Sequence, residues 1–258
     1  MSFEGKVILI TGASSGIGAA AAEFFAKQGS LLALVGRNEE RFSKVIDKIK
    51  ESGVEAEPLV ILADISVDYE RIISETIERY GRLNVLINNA GFAIPGTIES
   101  TRTEDFDSIM STNVRGTFLL TQLAVPHLIA TKGNIVNVSS ICGLRTFPSL
   151  LAYCMAKAAL DHFSRIVAID LAAKGVRCNA VNPGVIDTNF HDCLGFDKDS
   201  VEYAAIMDQY AKMHPIGRVG ESDECVNAIA FLASDSAGFI TGVNLPVDGG
   251  LNEKSPRG

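Results

Sequence analysis

Short runs that are almost wholly apolar alternate along the chain with stretches whose apolar residues recur every three or four positions. The runs at 7–10, 31–35, 58–62, 85–87, 134–138, 176–181 and 243–246 predict strands. Most are apolar on both faces, as strands inside a parallel sheet must be. The stretches between them predict helices at 19–27, 39–50, 70–80, 104–129, 152–173 and 222–233. In 39–50, for example, Phe42, Val45, Ile46 and Ile49 fall on one face with charges opposite. Regular β-α alternation predicts an α/β fold, a doubly wound, mostly parallel seven-stranded sheet with helices on both faces. No linker-like stretch divides the chain, so one domain over 1–258 is expected.

Composition narrows the partners. The chain has 258 residues, 47% of them hydrophobic, enough for one large core. Its net charge of −8 gives no electrostatic help toward nucleic acid or an anionic membrane, and neither is expected as a partner. The long uncharged stretches 7–22 and 116–131 are broken by Gly12, Gly16 and Gly18 in the first and Pro126 in the second. They read as buried core, not as membrane spans. The N-terminus shows no cleavable secretory pattern. Five cysteines, Cys142, Cys154, Cys178, Cys193 and Cys225, form no CxxC pair and suggest reduced thiols in a cytoplasmic protein, mostly as small core residues. The four histidines lack ligand spacing, so no metal is expected. The segment after Leu251 looks loose.

The first predicted strand runs into Thr11-Gly12-Ala13-Ser14-Ser15-Gly16-Ile17-Gly18 and then an alanine-rich helix. Strand, glycine turn and helix together present backbone N–H groups and a helix N-terminus to a pyrophosphate. The fourth strand ends in Asn88-Asn89-Ala90-Gly91, at the edge where open α/β sheets bind ligands. Ser139-Ser140 follow the fifth strand. Of the five tyrosines only Tyr153 has a lysine four residues on, Lys157, which shares its helical face. An ammonium close to a phenol favours the phenolate, so such a tyrosine can exchange a proton with a carbonyl or alcohol oxygen near neutral pH. Ser140 could hydrogen-bond the same oxygen.

Taken together, the glycine turn, the Asn-Asn-Ala-Gly segment, Asn113, Ser140 and Tyr-Cys-Met-Ala-Lys resemble the short-chain dehydrogenase/reductase family over 6–251, in family order. The resemblance implies an NAD(P)-dependent oxidoreductase acting on CH–OH and C=O groups. It implies that Tyr153 is the general acid/base, that Lys157 lowers the tyrosine pKa and holds the nicotinamide ribose, and that Ser140 polarises the carbonyl. Ser140 is preferred to Ser139 because it precedes Tyr153 by thirteen residues, as in the family. Asn113 would hold a water in a proton relay through Lys157. For the cofactor, the resemblance implies Gly12, Ser14, Ser15, Gly16, Ile17 and Gly18 at the phosphates, and Asp64 with Ile65 at the adenine. Asn89, Ala90 and Gly91 would line the cofactor, and Pro183, Gly184, Ile186 and Thr188 would hold the carboxamide. Asn84, where the family often has aspartate, is the one departure. A homotetramer is implied, with 239–250 as an inter-subunit strand.

The second strand ends in Gly36-Arg37-Asn38. An acidic residue there serves NAD, and an arginine accommodates the 2′-phosphate of NADP. Gly36 and Arg37 therefore favour NADP(H), with Asn38 beside them and NAD(H) as the alternative. The segment 190–214 has the position of a substrate lid. Phe190, Leu194, Phe196, Met207 and Met213 on it, with Phe92, Ile94, Leu144 and Phe147, suggest an apolar pocket. Arg145 is the one basic residue that could meet an anionic substrate. The expectation is an NADPH-dependent reductase of apolar or bulky ketones. The alternatives are an NAD-dependent secondary-alcohol dehydrogenase and, in another class, a non-catalytic cofactor-binding sensor or scaffold.

Overall fold

The computed structural model describes residues 2–188, 190 and 200–254. Among these, seven strands form one sheet: β1 (Val7–Thr11), β2 (Leu31–Gly36), β3 (Leu59–Leu62), β4 (Val85–Asn88), β5 (Asn134–Val138), β6 (Arg177–Pro183) and β7 (Asn244–Val247). Their order is β3-β2-β1-β4-β5-β6-β7, and every neighbouring pair is parallel. The helices are α1 (Gly16–Lys27), α2 (Glu39–Glu51), α3 (Tyr69–Tyr80), α4 (Thr103–Met110), α5 (Thr117–Thr131), α6 (Leu151–Ala172), α7 (Val201–Met213) and α8 (Ser222–Ala233). None is long and apolar enough to cross a membrane.

Strand alternation explains why helices cover both faces. In β1, Ile8 and Ile10 pack with Ala22 and Phe25 of α1 and with Val226 and Ile229 of α8. Val7 and Leu9 point the other way, into Ile72 of α3, Leu120 and Ala124 of α5 and Ala168 of α6. All five residues of β1 are buried, which is why the run shows no polar alternation. Asn84 braces the sheet where β4 begins. Its Oδ1 accepts from Val7 N at 2.9 Å, tying the entry of β4 to that of β1.

One long helix expected at 104–129 is broken. A π-helical turn, Ser111–Gly116, separates α4 from α5. Such a turn holds an extra residue, so one side chain swings off the regular helical path. Here it is Asn113, whose Nδ2 donates to Phe92 O at 2.9 Å and whose Oδ1 accepts from Phe92 N at 3.1 Å. Gly116 makes the turn possible: a Cβ there would stand 2.8 Å from Ile65 O. The segment after Leu251 is less loose than its composition suggests, because Arg145 Nη1 donates to Leu251 O at 2.5 Å and to Asn252 O at 3.3 Å.

The chain order reverses between β1 and β4, so their carboxyl ends open into a crevice between helices. Leu9 lies in the strand that both faces depend on and is wholly buried. Leu9→Ala should lower stability by about 2–5 kcal/mol, the usual result of truncating a buried leucine. Urea unfolding checks this, and an unchanged midpoint would contradict it.

Candidate active site

A cavity of about 620 Å³ opens at this crevice. Every residue that the sequence assigns to catalysis or to cofactor binding lines it except Gly18 and Asn113. Those two lie beneath its wall. Gly18 is buried, and a Cβ on it would stand 2.3 Å from Gly12 O. Asn113 braces the Phe92 backbone from behind.

Two segments far apart in sequence form the floor. Thr11 Oγ1 accepts from Asn89 N and Ala90 N, both at 3.0 Å. Asn89 Nδ2 donates to Thr11 O at 2.9 Å and Gly12 O at 3.2 Å. Gly12 has φ +65°, and a Cβ there would meet Ala90 Cα at 2.9 Å. The glycine turn and the Asn-Asn-Ala-Gly segment are thus in backbone contact, which only glycine permits. Beyond the turn, α1 presents its N-terminus without an acidic residue in its first turn. A cradle of small residues, free backbone donors and a positive helix end fits a dinucleotide pyrophosphate.

At the far edge of the cavity, Arg37 Nη1 pairs with Asp64 Oδ2 at 3.2 Å. Asp64 also accepts from Ser66 N and Ser66 Oγ. Burial pushes its pKa up, but the Ser66 bonds and the Arg37 charge outweigh that and leave it below the usual carboxylate value. Arg41 also lines this edge, a second cation that the strand-end pattern does not single out. Gly36 has little spare room: a Cβ would stand 3.0 Å from the Phe42 ring and 3.2 Å from Ser14 Oγ.

Ser140, Tyr153 and Lys157 meet at the other end. Ser140 caps a 3-10 turn, Ile141–Gly143, and its Oγ accepts from Cys142 N at 3.1 Å. Lys157 is 3% exposed. Its Nζ donates to Val138 O at 2.8 Å and lies 5.5 Å from the Tyr153 ring centre. Burial strips water from the ammonium and lowers its pKa from 10.5 to about 8, against the pull of Asp161. The Tyr153 ring packs on Phe190 at 5.5 Å between centres.

Asp161, one turn beyond Lys157, is the residue the sequence reading missed. It is buried, and Asn182 Nδ2 donates to its Oδ1 at 2.9 Å and to Ser140 O at 2.9 Å. Burial raises its pKa, opposed by hydrogen bonds from Ser139 and Asn182 and by the Lys157 charge. The signal was present: Tyr153, Lys157 and Asp161 are successive four-residue steps on one helix face. His214 was also missed. It is buried, accepts from Val185 N at 3.3 Å and bonds Tyr210 O through Nδ1 at 2.7 Å, linking the end of α7 to the turn that follows Pro183.

Of the apolar residues expected in a pocket, Phe92, Phe147, Phe190 and Met213 line the cavity, joined by Leu150 and Tyr210. Ile94 packs instead with Ile109, Ala152 and Ala156. Leu194 and Phe196 lie outside the described residues, as does 191–199 of the anticipated lid. Arg145 is committed to the C-terminal carbonyls and stacks 5.7 Å from the Phe147 ring.

A family model described as enoyl-(acyl carrier protein) reductase matches residues 12–252. An uncharacterised oxidoreductase of Thermotoga maritima is 41% identical over 251 residues, spanning 97% of this chain and 98% of that protein. Meso-2,3-butanediol dehydrogenase of Serratia marcescens is 36% identical over 252 residues, spanning 97% and 96%. The crystal structure of a short-chain dehydrogenase/reductase of unknown function from Caenorhabditis elegans, solved with cofactor, matches with a TM-score of 0.92 and 35% identity, over 98% of this chain and 97% of that one.

Removing the Asp161 charge should let the Lys157 pKa fall further below about 8. In Asp161→Asn the alkaline limb of the pH profile of kcat/KM for reduction should therefore move to lower pH, with Asp161→Glu closer to wild type. An unmoved limb in Asp161→Asn would show that the carboxylate has no hold on the lysine proton.

Proposed function

Because this chain belongs to the short-chain dehydrogenase/reductase family, and so is an NAD(P)-dependent oxidoreductase acting on CH–OH and C=O groups, we propose that it reduces apolar or bulky ketones with NADPH. One observation carries the reading: Ser140, Tyr153 and Lys157 share a single cavity with the glycine turn, Arg37 and Arg41.

In this reading the glycine turn and the N-terminus of α1 hold the pyrophosphate, and Arg37 holds the 2′-phosphate. The nicotinamide, when bound, supplies a hydride to the carbonyl carbon. Tyr153 donates its phenolic proton to the carbonyl oxygen. Lys157 stands beneath the Tyr153 ring with a charge that favours proton release. Ser140 Oγ, fixed by Cys142 N–H, steadies the same oxygen as charge develops on it. Asn113 holds Phe92 and the turn behind Lys157 in place for the proton relay. The aromatic wall of Phe92, Phe147 and Phe190 suits an apolar substrate, and with Arg145 committed elsewhere it offers an anionic one little. The segment 190–214 acts as the lid, with Tyr210 and Met213 of α7 facing the cavity.

The Arg37–Asp64 pair supports a second reading, NAD-dependent oxidation of a secondary alcohol, since Asp64 neutralises the arginine that would select the 2′-phosphate. The likeness to a butanediol dehydrogenase leans the same way. A ketone panel followed by cofactor consumption separates the two. Wild-type kcat/KM should be higher with NADPH than with NADH. A charged hydrogen bond contributes about 1.5–3 kcal/mol, or roughly 10- to 150-fold in affinity at about 1.4 kcal/mol per decade. Asp64 competes for the same guanidinium, so Arg37→Ala should weaken NADPH binding toward the lower end of that range and leave NADH binding unchanged. A wild-type preference for NADH overturns the NADPH reading. Tyr153→Phe should keep cofactor binding and lose roughly 10²- to 10⁴-fold in turnover. Wild-type turnover in that variant would end the acid/base assignment.

The chain is further read as a homo-oligomer, most simply a tetramer. Phe118 of α5 and Met155, Ile166 and Ile169 of α6 are exposed, as is Phe239 before β7. Such large apolar side chains on adjacent helices favour a partner surface. Light scattering should report more than one chain per particle at micromolar concentration, and a stable monomer would refute this.

A further inference from the structure

His214 stands at the junction of two walls of the cavity. It follows directly on α7, whose Tyr210 and Met213 line the cavity. The ring is buried and reaches across to the turn after Pro183, where Gly184, Val185, Ile186 and Thr188 line the same cavity. Gly184 makes the approach possible: a Cβ there would stand 3.0 Å from His214 Nε2 and 2.9 Å from Asp248 Cα.

The two partners of the ring fix its chemical form. Val185 N–H, with its nitrogen 3.3 Å from Nε2, can only donate. Tyr210 O, 2.7 Å from Nδ1, can only accept. Nε2 therefore carries the lone pair and Nδ1 the proton, which makes the ring a neutral bridge of one defined tautomer. A proton on Nε2 would set two donors against each other. The carboxylates that share the small cavity behind the ring, about 90 Å³, are engaged elsewhere. Glu224 pairs with Arg218 at 2.7 Å, and Asp248 accepts from Gly250 N at 3.0 Å and Asn252 N at 2.6 Å.

The bridge is more than a helix cap. The last carbonyls of α7 are met by Lys254, whose Nζ donates to Lys212 O at 2.8 Å and to Met213 O at 3.0 Å. The turn has backbone bonds of its own. Gly184 N donates to Val247 O at 3.0 Å, Gly220 N to Val185 O at 2.9 Å and Asp187 N to Gly220 O at 2.9 Å. What the ring adds is the position of the helix end relative to the turn.

We propose that His214 is a positioning residue for ketone reduction: as the Nδ1–H tautomer it sets the cavity-facing end of α7 against the turn 183–188, and so fixes the wall that Tyr210 and Met213 offer the substrate. This rests on the reading of the cavity given above. The ring lines the small cavity and not the large one, so it acts on a ketone through Tyr210 and Met213.

Two substitutions separate the bridge from packing. Glutamine can place an amide oxygen where Nε2 stands and accept from Val185 N–H. Asparagine reaches only as far as Nδ1, so it keeps a donor for Tyr210 O and leaves Val185 N–H unmet. Leaving one buried donor unmet corresponds to roughly 5- to 150-fold in an equilibrium. In His214→Asn the KM of the best ketone from the panel should rise within that range, with kcat and the NADPH Kd near wild type, because uniform binding of the ketone is what is lost. His214→Gln should restore most of the KM. Equal KM values in the two variants, or an NADPH Kd that rises in step with KM, overturn the positioning role.

Two further readouts need no turnover. Long-range ¹H–¹⁵N correlation of labelled histidines should show one ring, absent from either variant, with Nδ1 protonated and Nε2 bare. Hydrogen exchange at the Val185 amide should be faster in His214→Asn than in His214→Gln. A ring protonated on Nε2, or Val185 exchange that is the same in wild type and both variants, overturns the bridge. If the wild-type protein reduces no ketone, the functional reading fails on its own and these two readouts still decide the bridge.

Discussion

Lys157 carries a positive charge to a position that is 3% exposed. An ammonium taken out of water at that depth is unfavourable unless its donors are met and a countercharge stands close. Much of the site can be understood as the answer to that demand. Val138 O, at the end of β5, accepts one N–H. Asp161, one turn along α6, supplies the countercharge and is itself held by Asn182 from β6. Asn182 passes the constraint on, since the same Nδ2 donates to Ser140 O. The buried lysine thus fixes β5, β6, α6 and the serine turn relative to each other.

The glycines and the π-helical turn serve the same end from the opposite wall. A Cβ on Gly91 would stand 2.5 Å from Asn113 Oδ1 and 3.5 Å from Lys157 Nζ. The backbone there approaches the lysine as closely as a glycine allows. Asn113 holds that approach by bonding both polar groups of Phe92. The cofactor cradle and the proton-transfer end are therefore one connected frame, in which the reactive groups are placed by strand ends and helix faces.

What the sequence revealed follows from what leaves a local trace. Strand burial on two faces, the glycine turn and the four-residue step from Tyr153 to Lys157 are periodic or contiguous, and the sheet and most of the cavity wall were legible from them. Asp161 continued that step and was overlooked because a helical aspartate normally reads as a solvated face. The break at Ser111–Gly116 leaves no periodic mark: its cause is the bond between Asn113 and Phe92, twenty-one positions apart. Arg37 was legible as a cation at the cofactor edge, but its pairing with Asp64 was not, because the two meet only where β2 and β3 end side by side.

The central claim is that a buried ammonium organises this site. Selective ¹³C labelling of the lysine ε-carbons, followed by NMR across pH, measures it directly. One lysine signal should titrate near 8, and that signal should be missing in a folded Lys157→Met variant. A spectrum in which no lysine titrates near 8 would contradict it.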